Sequence, residues 1–189
     1  HGRAGEHGGR LRCGEGRCAV KEHPILFSMP MVLALLAGRK TRTRRMSKAW
    51  LNVKKGDRLW VRETFHPCDG GAIYAADYPW EDLREAAKHA GVERWKPSIF
   101  MPRAESRIDL EATEDAREER LHDITEAEAE AEGVGAEFEM DLATFVRGRG
   151  APAVTFYLGF KHAWNRINGP RSWDENPSVA VVSFKRIRP

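Results

Sequence analysis

No apolar run in the sequence approaches the ~20 residues that a membrane-spanning helix needs; the longest, such as Val32 to Ala37, are far shorter, and no membrane partner is expected. Cysteine is scarce and odd in number, with Cys13, Cys18 and Cys68 and no apolar signal segment, which points to free thiols in a reducing, cytoplasmic setting. No glycine-rich loop follows a strand pattern and no strand-helix-strand rhythm runs through the chain, so nucleotide-cofactor folds are disfavoured and no cofactor is expected. No internal repeat is visible. His66, His89 and His162 have no ligand spacing with acids or cysteines, and His1, His7, Cys13 and Cys18 match no compact zinc pattern, so no metal site is expected.

At 189 residues the chain fits one domain with a real core. Residues 1–20 hold six of the seventeen glycines and few apolar side chains, and are expected to be a disordered tail ahead of a domain spanning 21–189. The net charge of +3 hides a segregation. Arg39 to Arg62 carries ten cations against Asp57 alone, whereas Glu111 to Glu139 carries twelve acids against Arg117 and Arg120. The first stretch is suited to meeting phosphate; the second is not.

Pro24 to Phe27 reads as a short extended run, and Ser28 and Pro30 as the start of a helix over Met31 to Ala37 that stops at Gly38. A weaker strand lies near 41–46. KKGD is a turn, and Arg58 to Phe65 is a strand with Leu59, Val61, Glu63 and Phe65 on its inward face. Residues 66–106 look like an insertion holding a short helix that ends at Gly91. Strands follow at 107–113 and 178–187, with helices from Thr125 to Glu132 and across Val154 to Ile167, the latter with a Phe156, Phe160 and Trp164 stripe. The pattern implies an α+β fold around a mostly antiparallel sheet, closed into a small β-barrel with short flanking helices.

The chemistry centres on LAGRKTRTRR. In an extended TRTRR, Thr41, Thr43 and Arg45 share one face and Arg42 and Arg44 the other. A basic edge strand would explain the same residues, since threonine favours strands and charge discourages edge pairing. The acidic helix, whose glutamates at 126, 128, 130 and 132 mostly make a solvated face, adds a second feature. Thr125 and Glu128 form a capping box, but Glu132 falls in the last turn, where the helix dipole disfavours a carboxylate by ~0.3–1 kcal/mol and a cation is the natural compensation. Lys40, just past Gly38, is the candidate partner. A lysine, a threonine and a glutamate in one cleft make a hydrolytic set: threonine needs a base, a desolvated lysine can serve, and a carboxylate can orient it. The same carboxylate stabilises the ammonium, so the lysine acts as a base only if burial outweighs the pairing.

These residues carry a resemblance. LAGRKTRTRR, GDRLWVRET, the helix end AEAEG and the closing SVAVVSFKRI together resemble the ASCH domain family, relatives of the PUA-like RNA-binding barrels. PILFSMPMV, MPRAESRI and SWDENPSV are similar to motifs in its phage and prophage versions. The resemblance spans about 23–188 and implies a PUA-like barrel with a cleft around GRKT-x-T, acting in RNA or nucleotide metabolism. Small bacterial members with a similar core are acetylcytidine amidohydrolases, whose lysine, threonine and glutamate fall on Lys40, Thr43 and Glu132. The 66–106 and 134–177 segments depart from those minimal enzymes.

The leading expectation is amide hydrolysis on a modified cytidine-type substrate by Lys40, Thr43 and Glu132, with Arg39, Thr41, Arg42, Arg45, Glu63, Trp95 and Trp173 as substrate-binding candidates. Arg45 would hold a carbonyl or phosphate, and Trp95 or Trp173 would stack on a base, whereas Trp60 and Trp164 belong to the core. The alternatives are an RNA-binding module using Arg42 and Arg44 on phosphates, and a ribonuclease. Oligomeric state is open, a monomer being compatible with the sequence.

Overall fold

The computed structural model describes residues 20–78, 82–134 and 155–187. The expected tail, with Cys13 and Cys18, and most of the less regular part of the 134–177 segment lie outside those residues. The chain runs β1 (Glu22–Leu26), α1 (Met29–Leu36), β2 (Arg42–Arg45), β3 (Arg58–Arg62), β4 (Phe65–Cys68), β5 (Gly71–Tyr74), α2 (Leu83–Ala90), β6 (Asp109–Ala112), β7 (Arg117–Arg120), α3 (Glu126–Ala131), α4 (Phe156–Asn168) and β8 (Ser178–Arg186). No described helix is long and apolar enough to cross a membrane.

The main sheet has the order β1-β3-β6-β8-β2, with β7 also on β8. Among the described residues only β1 and β3 pair in parallel; every other ladder is antiparallel. The nine residues of β8 are its spine. Ala180 to Ser183 pair with β2 along one edge, while Phe184 to Arg186 pair with β6 and Ser178 to Val181 with β7 along the other. Successive pairing of two strands to one edge bends the sheet, which curls into a half-barrel. Among the described residues no ladder joins β1 to β2; an arginine spans the opening instead, Arg45 Nη2 donating to the Leu26 carbonyl at 2.8 Å.

Alternation along β3 sends Leu59 and Val61 inward, opposite Ile25 of β1, while Arg58, Trp60 and Arg62 face out. Val32 and Leu35 of α1, Leu110 of β6, and Val182 and Phe184 of β8 complete the core. Trp60, expected inside, is half-buried on the outer face, with Arg62 and Arg103 against its ring.

Three element expectations change. The 58–65 strand stops at Arg62, and Phe65 opens a separate β4-β5 hairpin, because the buried Glu63 between them is held by Arg107 rather than by a continuing ladder. Phe156 is exposed at the first turn of α4 and leaves the stripe to Phe160 and Trp164. Glu126, read as solvated, accepts from the backbone N–H groups of Phe156 and Tyr157, so a carboxylate of α3 caps α4.

The KKGD turn fastens β1 to β3. Asp57 accepts from the backbone N–H of Lys21 at 3.1 Å and of Lys54 at 3.0 Å, and its Oδ2 lies 3.1 Å from His23 Nε2. Burial alone raises the Asp57 pKa, but the Lys54 N–H, His23 and the Lys21 N–H outweigh it and hold the carboxyl below the ordinary aspartate range. Because folding lowers this pKa, the contribution of the carboxylate is complete above the unfolded value and is lost as pH falls through the folded one. Asp57→Asn is therefore expected to cost about 1–3 kcal/mol near neutral pH and to flatten the acid-range loss of stability, as read from urea unfolding at neutral and acid pH.

Candidate functional site

The exit from α1 turns Lys40 inward. Gly38 takes φ +73°, and the backbone N–H groups of Arg39 and Lys40 both reach the Ala34 carbonyl, at 2.9 and 3.1 Å. The next residue meets α3: Thr41 N donates to Ala131 O at 2.9 Å. On the α3 side, the Thr125 and Glu128 capping box starts the helix, Glu132 is its last half-turn, and Gly133 leaves it at φ +76°. A Cβ on Gly133 would stand 2.6 Å from Lys40 Cβ and 2.9 Å from Ala34 Cβ. Glycine is thus required twice, for its backbone conformation and for the approach of the helix end to Lys40.

Lys40 and Glu132 are 4% and 3% exposed. The Lys40 ammonium donates to the Glu132 carbonyl at 2.6 Å, to Glu132 Oε2 at 3.2 Å and to the Arg42 carbonyl at 2.9 Å. It satisfies both the carboxylate and a carbonyl at the end of α3, where the dipole is negative. Burial pushes the Lys40 pKa below the ordinary lysine range; Glu132 opposes this, and Arg45 and Arg44 add to it.

The other Glu132 oxygen, Oε1, accepts from Arg44 Nη1 at 3.2 Å. Arg44 has a fully buried side chain and also reaches Glu119 at 3.1 Å and Glu128 at 3.0 Å. Arg42 pairs with Glu128 and bonds Ser183 Oγ at 3.0 Å, while Arg117 joins Glu114, Glu119 and Glu128. Four cations, Lys40, Arg42, Arg44 and Arg117, face four carboxylates, Glu114, Glu119, Glu128 and Glu132. Within this network burial raises the Glu128 pKa, but the Thr125 N–H, Arg44, Arg42 and Arg117 outweigh it and keep the carboxyl below its usual range.

Beside the Lys40 and Glu132 pair opens a cavity of about 190 Å³, at the unpaired side of the sheet between the ends of β1 and β2. Thr43 and Arg45, on one face of β2, line it together with Lys40 and Glu132, and Phe27, Phe160 and Trp164 supply apolar walls. Thr43 is 4% exposed, and its hydroxyl has no hydrogen-bond partner among the described residues. Arg45 lies over the Phe27 and Trp50 rings at 5.1 and 5.8 Å. Burial lowers its pKa, with Glu132 opposing, and a guanidinium remains charged at any ordinary pH.

Of the residues singled out in the sequence, Lys40, Thr43, Arg44, Arg45 and Glu132 come together here. Arg39 and Thr41 are exposed and do not line the cavity, and Arg42 is engaged by Glu128 and Ser183. Glu63 is buried elsewhere, bound by Arg107 at 2.9 and 3.1 Å, with Arg107 also on Asp77 and 3.9 Å above the Tyr74 ring. Burial raises the Glu63 pKa against the opposing effect of Arg107. Trp95 packs with Ala75, Ala86 and Ala87 in the insertion, and Trp173 packs in the core among Tyr157, Phe160 and His122. Sequence reasoning missed Phe27, Phe160 and Trp164 as cavity walls and Arg44 as the second ligand of Glu132. Among the described residues no group of three or more His, Cys, Asp or Glu side chains could hold a metal ion.

No family model and no curated protein matches the chain. Among solved structures it is similar to an ASCH domain from Lactobacillus crispatus JV V101, at 11% identity and TM-score 0.41 over 89% of this chain and 81% of that one. It is also similar to a DUF984 protein from Enterococcus faecalis V583, at 10% identity and TM-score 0.40 over 90% and 83%. Likeness at this level assigns no residue a role.

Gly133→Ala is expected to destabilise the fold by about 2–4 kcal/mol, combining a left-handed backbone penalty with overpacking against Lys40. Chemical denaturation measures it, and a loss under about 0.5 kcal/mol would mean that α3 and Lys40 do not meet as described.

Proposed function

We propose that the cavity hydrolyses an amide on a modified cytidine-type base, with Thr43 as nucleophile, Lys40 as its proton acceptor and donor, and Glu132 as the carboxylate that orients Lys40. The reading rests on one observation: the buried Lys40 and Glu132 contact, 3.2 Å between Nζ and Oε2, borders the same cavity as the unpartnered Thr43 hydroxyl. The ASCH resemblance of the sequence points to the same three residues.

Neutral Lys40 takes the Thr43 proton as Oγ1 attacks the amide carbonyl. It then returns that proton to the departing base amine as the carbon–nitrogen bond breaks, and water hydrolyses the resulting threonyl ester. Burial favours this cycle, because it moves the lysine toward the pH at which it can both accept and release a proton. A neutral amine has two N–H donors, so one of the three contacts is released and the lone pair turns from that oxygen toward Thr43 Oγ1. Arg45, which has no carboxylate ion pair among the described residues, supplies positive charge for the oxyanion. At about 190 Å³ the cavity is smaller than the roughly 300–1,000 Å³ of most ligand sites, which suits a base and its acyl group with the sugar outside.

The binding-only and ribonuclease readings need cations free for phosphate. Arg42 and Arg44 are taken up by Glu128, Glu119 and Glu132 instead, which weighs against both at this surface.

The test is loss of the acyl group from N-acylated cytosines and cytidines, followed by absorbance. Thr43→Ala is expected to lower kcat by at least about a thousandfold, and Thr43→Ser to retain measurable turnover. Undiminished hydrolysis by Thr43→Ala would sink the mechanism. The rate of the wild-type protein is expected to rise with pH through the lowered Lys40 pKa and to level off below the ordinary lysine range, whereas a rate that rises only at pH ~10 or above would remove Lys40 as the base.

A further inference from the structure

Arg42 and Arg44 of the basic strand are neutralised by carboxylates, but two cations of the insertion, Arg94 and Lys96, are not. Arg94 and Lys96 are exposed, and among the described residues neither has a carboxylate within ion-pair distance. They flank Trp95 in an extended stretch that pairs with Phe65, Lys96 N donating to Phe65 O at 2.7 Å and Phe65 N to Lys96 O at 3.1 Å. Alternation turns Trp95 inward and both cations outward. The Trp95 indole is 9% exposed and donates to Leu83 O at 2.9 Å, so it forms a fixed floor.

Pro97 then turns the chain into a single helical turn, Ser98–Phe100. Arg62 anchors that turn from outside, through the Met101 carbonyl at 3.1 Å and the Ile99 carbonyl. The anchored turn holds Phe100 at 67% exposure. Arg94, Trp95, Lys96, Pro97 and Phe100 border a groove of about 550 Å³, within the ordinary range for a bound small group. Glu93 is the single acid from 93 to 100.

We infer that this groove binds single-stranded nucleic acid, one base stacking on Phe100 and the adjoining phosphates meeting Arg94 and Lys96. An exposed ring on an anchored turn, bordering the same groove as two unpaired cations, is the combination that single-strand binding uses, stacking for the base and charge for the backbone. An acidic peptide would satisfy the cations and leave the ring without a stacking partner. The inference goes beyond the hydrolase reading, uses none of its residues, and stands or falls apart from it.

The measurement is fluorescence anisotropy of a labelled oligouridylate with the full chain, at about 50 and 200 mM salt. Phe100→Ala is expected to weaken binding about tenfold. Arg94→Ala combined with Lys96→Ala should weaken it and flatten the log–log salt slope by about 1.4, at ~0.7 for each lost phosphate contact. Lys55→Ala, an exposed cation on the KKGD turn, should stay within about twofold of wild type. If Phe100→Ala melts early, Phe100→Leu keeps apolar bulk without the ring and carries the same expectation. Binding by the ring-less variant within about twofold of wild type overturns the inference. So does a Lys55→Ala loss equal to that of the double variant, or displacement of the oligonucleotide by polyglutamate at lower concentration than by unlabelled RNA.

Discussion

The contact of the Lys40 ammonium with the end of α3 is the constraint on which the rest of the site depends. Removing Lys40 would leave a carboxylate and a helix-end carbonyl buried without a donor, and removing Glu132 would leave Lys40 and Arg44 as buried cations short of a counter-charge. Breaking such a pair costs about 3–5 kcal/mol, although a well-packed apolar replacement of the whole pair is often neutral or better. The pair is therefore a poor device for stability alone. What it achieves is placement: it fixes the exit of α1, the start of β2 and the C-terminus of α3 relative to one another, and the Thr43 hydroxyl is carried on β2 to the rim of the same cavity.

Charge segregation along the chain has a different meaning in space from the one it has in sequence. The basic stretch around β2 and the acidic stretch through β7 and α3 look like surfaces for two kinds of partner. Folding lays them against each other, and Arg44, with no exposed side-chain surface, is bound by three carboxylates. Lys40, Arg42 and Arg44 of the +9 run are paired with Glu119, Glu128 and Glu132 of the −10 run, so the centre of the strongest positive feature of the sequence is neutralised where β2 meets α3 and β7. Partial cancellation matters chemically, because Arg44 and Arg45 both push the Lys40 pKa down while only Glu132 pulls it up.

What was legible in the sequence were features with a local cause. The capping box at Thr125, the stop at Gly38, the inward alternation of Leu59, Val61 and Glu63, and the need of Glu132 for a cation all follow from backbone geometry within a few residues. What stayed hidden depended on distant partners. REER of β7 has no apolar alternation, and its place is set by pairing with β8 and by Arg117 meeting the Glu128 of another element. Glu126 looks like any exposed helix acid until α4 arrives to be capped, and Trp60 looks like core until the outer face proves to be where Arg62 and Arg103 cover it. The second role of Gly133, clearance for Lys40, needs the close approach of two segments ninety-two positions apart at their charged tips.

The half-open sheet explains why a cavity exists where it does. A closed barrel would join β1 to β2 and fill that seam with ladder hydrogen bonds; here Arg45 spans it through the Leu26 carbonyl, leaving room between Phe27 and Trp164. Because that bridge is a cation bound to a neutral carbonyl, its charge is not cancelled by its own hydrogen bond, in contrast with Arg44, which is bound by three carboxylates. A site with apolar walls, a buried carboxylate paired with both Lys40 and Arg44, and one such guanidinium has little to offer a polyanion. It is better matched to a neutral, flat group on which negative charge develops during reaction, since the electrostatic gain then appears in the transition state and not in the ground state.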